Sequence, residues 1–297
     1  MRIISTIILG FLIGISLIGC GSQSAEKSDL SIWVSIPPQK TFVEAVAGDH
    51  AEVSVMIPPG QSPGTYSPSV PQMAALAQSD IYFGIGMPME RRILNRIERS
   101  MPQLRFVQTA EIVEHEHVHE PSTHDHGEAG VGSGPDEDPH LWMDPIRVVD
   151  LVEQIESALS EERPDLAEDF AGNAATLKQK LRALDSVLSE QMAPYEGRAF
   201  YINHPSLGHF ARRYNLIQRS IEVGGSAPSS RQVAELVGLA KTDSVGAVFS
   251  QPEFEKSSVD VLARALDVKV IPLDVLSSDY FSNMREIANR LEESFAE

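Results

Sequence analysis

The sequence predicts an α/β protein built as two lobes with largely parallel sheets, joined by one long rigid helix, with a ligand cleft between the lobes. Two observations carry this. In both halves, short runs of β-branched and aromatic residues alternate with stretches of helical apolar spacing, the rhythm of parallel α/β sheets. Between the halves, Leu166, Phe170, Leu177, Leu181, Leu184, Leu188 and Met192 keep to one helical face. At 1.5 Å per residue that stripe, about 27 residues, reaches about 40 Å, enough to run along two domains. The length of 297 residues suits a pair of domains at roughly 100–200 residues each.

The chain opens with Met1 and Arg2, a nearly unbroken apolar run from Ile3 to Ile18, and then Leu17-Ile18-Gly19-Cys20. The run is short for a spanning helix, which needs about 20 residues, and it ends in small residues as cleaved signals do. The tetrapeptide matches the bacterial lipobox, in which Cys20 carries lipid and becomes the first residue. Residues 1–19 are therefore expected to be a lipoprotein signal peptide and 20–28 a tether. The mature protein would be a membrane-anchored lipoprotein on the periplasmic or extracellular face. Cys20 is the sole cysteine, which excludes an intramolecular disulfide and any cysteine-type zinc site.

Residues 29–160 form the expected first lobe. Leu30 to Ile36 reads as a strand, Gln39 to Ala47 as a helix ended by Gly48, and Ala51 to Ile57 as a strand stopped by Pro58-Pro59-Gly60. After a loop rich in Pro, Ser and Gly come a helix (70–78), a strand (81–85), a helix (89–100) and a strand (104–108). Residues 111–137 break the rhythm. The loop at 114–137 interleaves His115, His117, His119, His124 and His126 with acidic residues; such tracts bind divalent transition metals when the backbone lets imidazoles converge. A helix follows from Ile146 to about Ser160. The linking helix occupies 161–193. The second lobe, 194–297, repeats the pattern with strands at 199–203, 218–223, 245–250 and 269–272 and helices at 207–214, 231–242, 256–266 and 280–295.

In such proteins ligands bind at strand ends facing a cleft. His140 lies in Asp138-Pro139-His140-Leu141-Trp142-Met143-Asp144-Pro145, where proline stiffens the backbone and Leu141 and Trp142 anchor it. His204 follows the strand 199–203, and Asp279 precedes the last helix, where an N-cap role competes. Two imidazoles and a carboxylate suit zinc, manganese or ferrous iron. His209 and His50 are read as structural. The net charge of −18 argues against a nucleic-acid partner, which requires an excess of Lys and Arg.

These residues carry a resemblance. From about Leu30 onward the chain resembles the cluster A-I (cluster 9) solute-binding lipoproteins of zinc and manganese ABC importers. The carriers are Pro58 to Pro71 with Tyr66, Gly86 with Glu90, Asp138 to Pro145, the long helix, Asn203-His204 with Gly208 and Tyr214, and Asp279-Tyr280. The resemblance implies a monomeric binding protein that delivers metal to an ABC permease, with His140, His204 and Asp279 as ligands. His at 204, where a carboxylate is the other option, and the histidine loop favour zinc. The resemblance also implies a first-lobe histidine where this chain has Gly64. Three replacements for it are open: Gln61, a histidine of the 115–126 stretch, or water. The alternatives from other classes are a zinc-dependent hydrolase, since three ligands plus water is a catalytic pattern, and a metal-binding surface adhesin. No His-Glu-x-x-His motif supports hydrolysis.

Overall fold

Two four-stranded parallel sheets carry the molecule. The computed structural model describes residues 29–109, 138–223 and 225–296; the expected signal peptide, the tether with Cys20 and the histidine-rich loop lie outside them. The first sheet contains β1 (Leu30–Val34), β2 (Ala51–Val55), β3 (Ile81–Gly84) and β4 (Arg105–Gln108), in the order β2-β1-β3-β4. The second contains β5 (Ala199–Ile202), β6 (Ile217–Ser220), β7 (Ala247–Ser250) and β8 (Lys269–Pro272), in the order β6-β5-β7-β8. All pairings are parallel. The two lobes thus share one topology, and in each the strand order reverses between the first and third strands. Crevices for ligands open at the carboxyl ends of such reversals.

Helices α1 (Pro37–Ala47), α2 (Val70–Leu76) and α3 (Pro88–Ser100) connect the first sheet. Pro37 and Pro38 begin α1 and do not merely end β1, since proline is preorganised for a first helical turn. The turn from β3 into α3 needs Gly86, whose φ of 86° is left-handed. Buried Glu90 closes that turn by accepting the N–H groups of Ile85 and Gly86, each at 2.8 Å, and the Ser35 hydroxyl. Helices α4 (Pro145–Glu162) and α5 (Ala167–Met192) then run between the lobes. α6 (Gly208–Arg213), α7 (Ser230–Thr242), α8 (Ser257–Leu266) and α9 (Tyr280–Ala296) belong to the second half.

The 26-residue α5 spans about 39 Å and buries the apolar stripe from Phe170 to Met192. Near its start, Asn173 donates to the Val46 carbonyl of α1 at 3.1 Å. Near its end, Gln191 donates to Asn289 and Glu292 of α9 at 2.9 and 2.7 Å. One hydrophobic cluster runs through β1, β3, α4, α5, β5, β7 and α9 without a break. The lobes are also sewn together directly. The Phe42 and Tyr280 rings meet edge-on at 4.8 Å, the Trp142 indole donates to the Val275 carbonyl at 2.8 Å, and the Tyr280 hydroxyl donates to the Trp142 carbonyl at 2.8 Å. Such a joint opposes free hinging. No helix among the described residues is long and apolar enough to cross a membrane.

Candidate metal centre

A cavity of about 850 Å³ separates the lobes. Its walls include Ser62 to Thr65, Met87 and the Asp138–His140 segment on one side, and His204, Glu222, Glu253 and Phe254 on the other.

His140 starts a short 3-10 turn, Leu141–Met143. Asp138 holds it twice: its Oδ1 accepts the His140 backbone N–H at 3.0 Å and the imidazole Nδ1 at 2.8 Å. Trp142, fully buried, stands edge-on to the imidazole at 5.2 Å. Asp138 is itself braced from the second lobe. His209 Nε2 donates to its carbonyl at 2.9 Å, and Arg212 lies 3.5 Å from Oδ2. Gly208 is required here, because a Cβ would come within 2.3 Å of Asp138 Oδ2. Burial pulls the Asp138 carboxyl upward, but the bond and charge of His140 and the charge of His209 outweigh it and leave it at about 2. Burial also holds the His140 imidazole below its ordinary value, against the upward pull of Asp138. It is thereby kept neutral, the form that binds metal.

His204 stands two residues past the end of β5. Gln251, just past β7, clamps its backbone by accepting the N–H at 2.8 Å and donating to the carbonyl at 3.1 Å. Glu222 Oε1 takes the imidazole Nδ1–H at 2.6 Å, and Phe254 stacks on the ring at 4.5 Å. The His140 and His204 rings lie 5.2 Å apart.

A carboxylate only accepts, so both histidines donate Nδ1–H and keep a lone pair on Nε2. An imidazole whose far nitrogen is fixed by a carboxylate is the usual arrangement of a metal-binding histidine. Two such imidazoles, one on each side of the cleft, are what the structure brings together.

The remaining sequence candidates lie elsewhere. Asp279 is exposed at the start of α9, where its Oδ1 accepts the Ser282 N–H at 3.4 Å and its carbonyl accepts the Asn283 N–H at 3.0 Å. It does not line the cavity, and the capping role accounts for it. Gln61 is exposed and also absent from the cavity wall, whereas Gly64 lines it. His115, His117, His119, His124 and His126 lie outside the described residues. No three His, Cys, Asp or Glu side chains among the described residues stand close enough to hold an ion jointly.

Three carboxylates beyond the sequence candidates also stand just past strand ends of the second sheet. Glu222 lies two residues beyond β6, inside what the sequence suggested was still strand. Asp274 lies two residues beyond β8, exposed, with Oδ1 accepting the Leu276 N–H at 2.8 Å. Glu253 lies three residues beyond β7, and its Oε2 is enclosed without a hydrogen-bond partner among the described residues. Burial, and then the nearby charge of Asp274, push the Glu253 carboxyl up to about 7, against the hydrogen bond from its own backbone N–H and the charge of His204. The strand-end rule that singled out His204 reaches all three.

Comparison with known proteins identifies the family. Residues 32–294 match the family profile of ZnuA, zinc-uptake complex component A, periplasmic. The zinc-binding lipoprotein AdcA of Streptococcus pneumoniae serotype 4 (strain ATCC BAA-334 / TIGR4) is 28% identical over 278 residues, covering 92% of this chain and 55% of the relative. The manganese-binding lipoprotein MntA of Bacillus subtilis (strain 168) is 24% identical over 262 residues, covering 86% of this chain and 82% of the relative. The chain spans about half the length of the AdcA relatives it matches. Among solved structures, a crystal structure of ZnuA superposes with a TM-score of 0.80 at 30% identity, covering 90% of this chain and 99% of that one.

Proposed function

The chain belongs to the ZnuA family of zinc-uptake components, and we propose that it captures a divalent transition metal outside the cytoplasm and delivers it to an ABC permease. The observation that carries this is the pair of imidazoles 5.2 Å apart, contributed from opposite sides of the cleft and each oriented by its own carboxylate. Zinc is the favoured substrate, because the two side chains paired across the cleft are both imidazoles and because AdcA is a zinc-binding lipoprotein. Manganese is the alternative, in line with MntA. Lipid on Cys20 would tether a monomer to the membrane, and the relatives that are lipoproteins support that reading. The same relatives favour neither the hydrolase nor the adhesin.

His140 and His204 bind zinc through Nε2. Asp138 and Glu222 hold the rings, fix the tautomer and raise the basicity of the ligating nitrogens. For the third donor Asp274 is favoured over Asp279: neither side chain lines the cavity, but Asp274 directly precedes Val275 and Leu276, which do, and it follows the carboxyl end of a strand in the sheet that presents His204, while Asp279 is engaged as a helix cap. Gly64 has no side chain for the fourth position, and Gln61 stands outside the cleft.

Calorimetric zinc titration of the metal-free mature chain tests this, beside His140→Ala. Submicromolar binding that falls by at least about 100-fold in the variant is expected, since one of two imidazoles is lost. Equal binding by both proteins would sink the proposal.

A further inference from the structure

The second sheet delivers one metal-competent side chain from the carboxyl end of every strand. In the spatial order β6-β5-β7-β8, these are Glu222, His204, Glu253 and Asp274, each two or three residues past its strand. β5 and β7 flank the reversal of strand order, so His204 and Glu253 share the crevice where a ligand is expected.

The four are not equally committed. Glu222 is bonded to His204 Nδ1. Asp274 gives one oxygen to a backbone N–H. Glu253 lines the cavity, is followed directly by the phenyl ring that stacks on His204, and keeps Oε2 enclosed with no partner among the described residues. An enclosed carboxylate oxygen without a partner is costly. A structural role would normally satisfy it; a cation in the crevice satisfies it at once. Because Oε2 is bonded to nothing, turning it onto an ion breaks no hydrogen bond.

We propose that Glu253 is a further ligand of the captured metal, coordinating through Oε2 from the cavity wall it shares with His204. The inference rests on the interlobe centre described above. With Asp274 it gives the ion two imidazoles and two carboxylates, which reach it by side-chain rotation, since no three of them among the described residues already stand within joint coordinating distance. All but His140 come from one sheet edge, so the second lobe holds most of the ligand set.

The test compares Glu253→Gln and Glu253→Asp with the unaltered chain and with His140→Ala, by zinc calorimetry and by the visible spectrum of the cobalt(II) form. Thermal melts of the metal-free proteins establish folding. Expected are a loss of zinc affinity of about 10- to 100-fold in both Glu253 variants and a changed cobalt band. Glu253→Asp keeps the charge but shortens the reach, so it separates ligation from mere attraction. Wild-type affinity and an unchanged cobalt band in folded Glu253→Gln would overturn the inference, and so would full retention in Glu253→Asp. If His140→Ala also binds normally, the cleft itself is not the site, and the functional reading falls with the inference.

Discussion

Replacing Gly64 by histidine is expected to tighten zinc binding. Gly64 lines the cleft opposite His204. Its φ is not left-handed, and an added Cβ would meet only Ser62 Oγ, at 3.8 Å. The side chain therefore enters open space without backbone strain. The turn that carries it is already fixed: Thr65 and Tyr66 N–H groups donate to the Ser62 carbonyl at 3.2 and 3.0 Å, and Arg92 holds the Tyr66 carbonyl at 3.0 Å. Ordering one new imidazole costs about 0.5–1.5 kcal/mol. Losing glycine's freedom in the unfolded chain returns about 0.4–1 kcal/mol to stability. The net gain on zinc should then be that of a nitrogen donor replacing a weaker one, about 10- to 100-fold or 1.4–2.8 kcal/mol. Competition titration against a chelator of known affinity reads this directly, and the cobalt(II) spectrum reports the new donor. Unchanged or weaker binding in a folded Gly64→His protein would mean that residue 64 does not face the ion, and the geometry argued for the centre would be wrong.

Asp138→Asn should weaken zinc binding by about 10- to 100-fold, because an amide no longer enforces the Nδ1–H tautomer of His140; the titration above measures it. Gly208→Ala should weaken binding in the same direction without touching a ligand, since its Cβ displaces Asp138 Oδ2; a crystal structure of the variant with Asp138 unmoved would contradict this. Gly64→His should raise the zinc affinity of Glu253→Gln, because it adds a nitrogen donor from the opposite cavity wall; unchanged affinity in the folded double variant would contradict this. The contribution of Glu253 to the stability of the metal-free protein should fall as pH rises from about 5 to 7, against the opposite trend set by the depressed imidazoles of His140 and His209. Glu253 has a folded value of about 7, above the ordinary value of about 4.3, so its contribution is complete below the ordinary value and is lost as pH rises through about 7. The melting temperature of the unaltered chain relative to that of Glu253→Gln should therefore fall over that range, and a constant difference would contradict this.

Much of this was legible in the sequence because the signals were local. Strand–helix alternation gave both sheets. The stripe from Phe170 to Met192 gave the linking helix, bounded at Ala167–Met192 in the structure. Pro139 and Trp142 marked His140 as rigidly held, and the strand before His204 placed it at a sheet edge. The carboxylates were harder to find. Asp279 and Asp274 are five residues apart in one loop, and only the end of β8 at Pro272 and the start of α9 at Tyr280 separate a sheet-edge residue from a cap. Glu222 was hidden by a strand expected to run to Val223 that ends at Ser220. The pairing of Asp138 with His140 is local, two residues apart, but the bracing of Asp138 by His209 from the other lobe depends on tertiary contact across 71 residues and leaves no periodic trace.

Zinc K-edge X-ray absorption of the loaded mature chain, beside His140→Ala/His204→Ala, tests whether the two cleft histidines hold the ion. An imidazole signature is expected in the unaltered protein and disappears, together with stoichiometric zinc, in the double variant. Retained zinc with the same imidazole signature would place the ion on other histidines and contradict the interlobe centre.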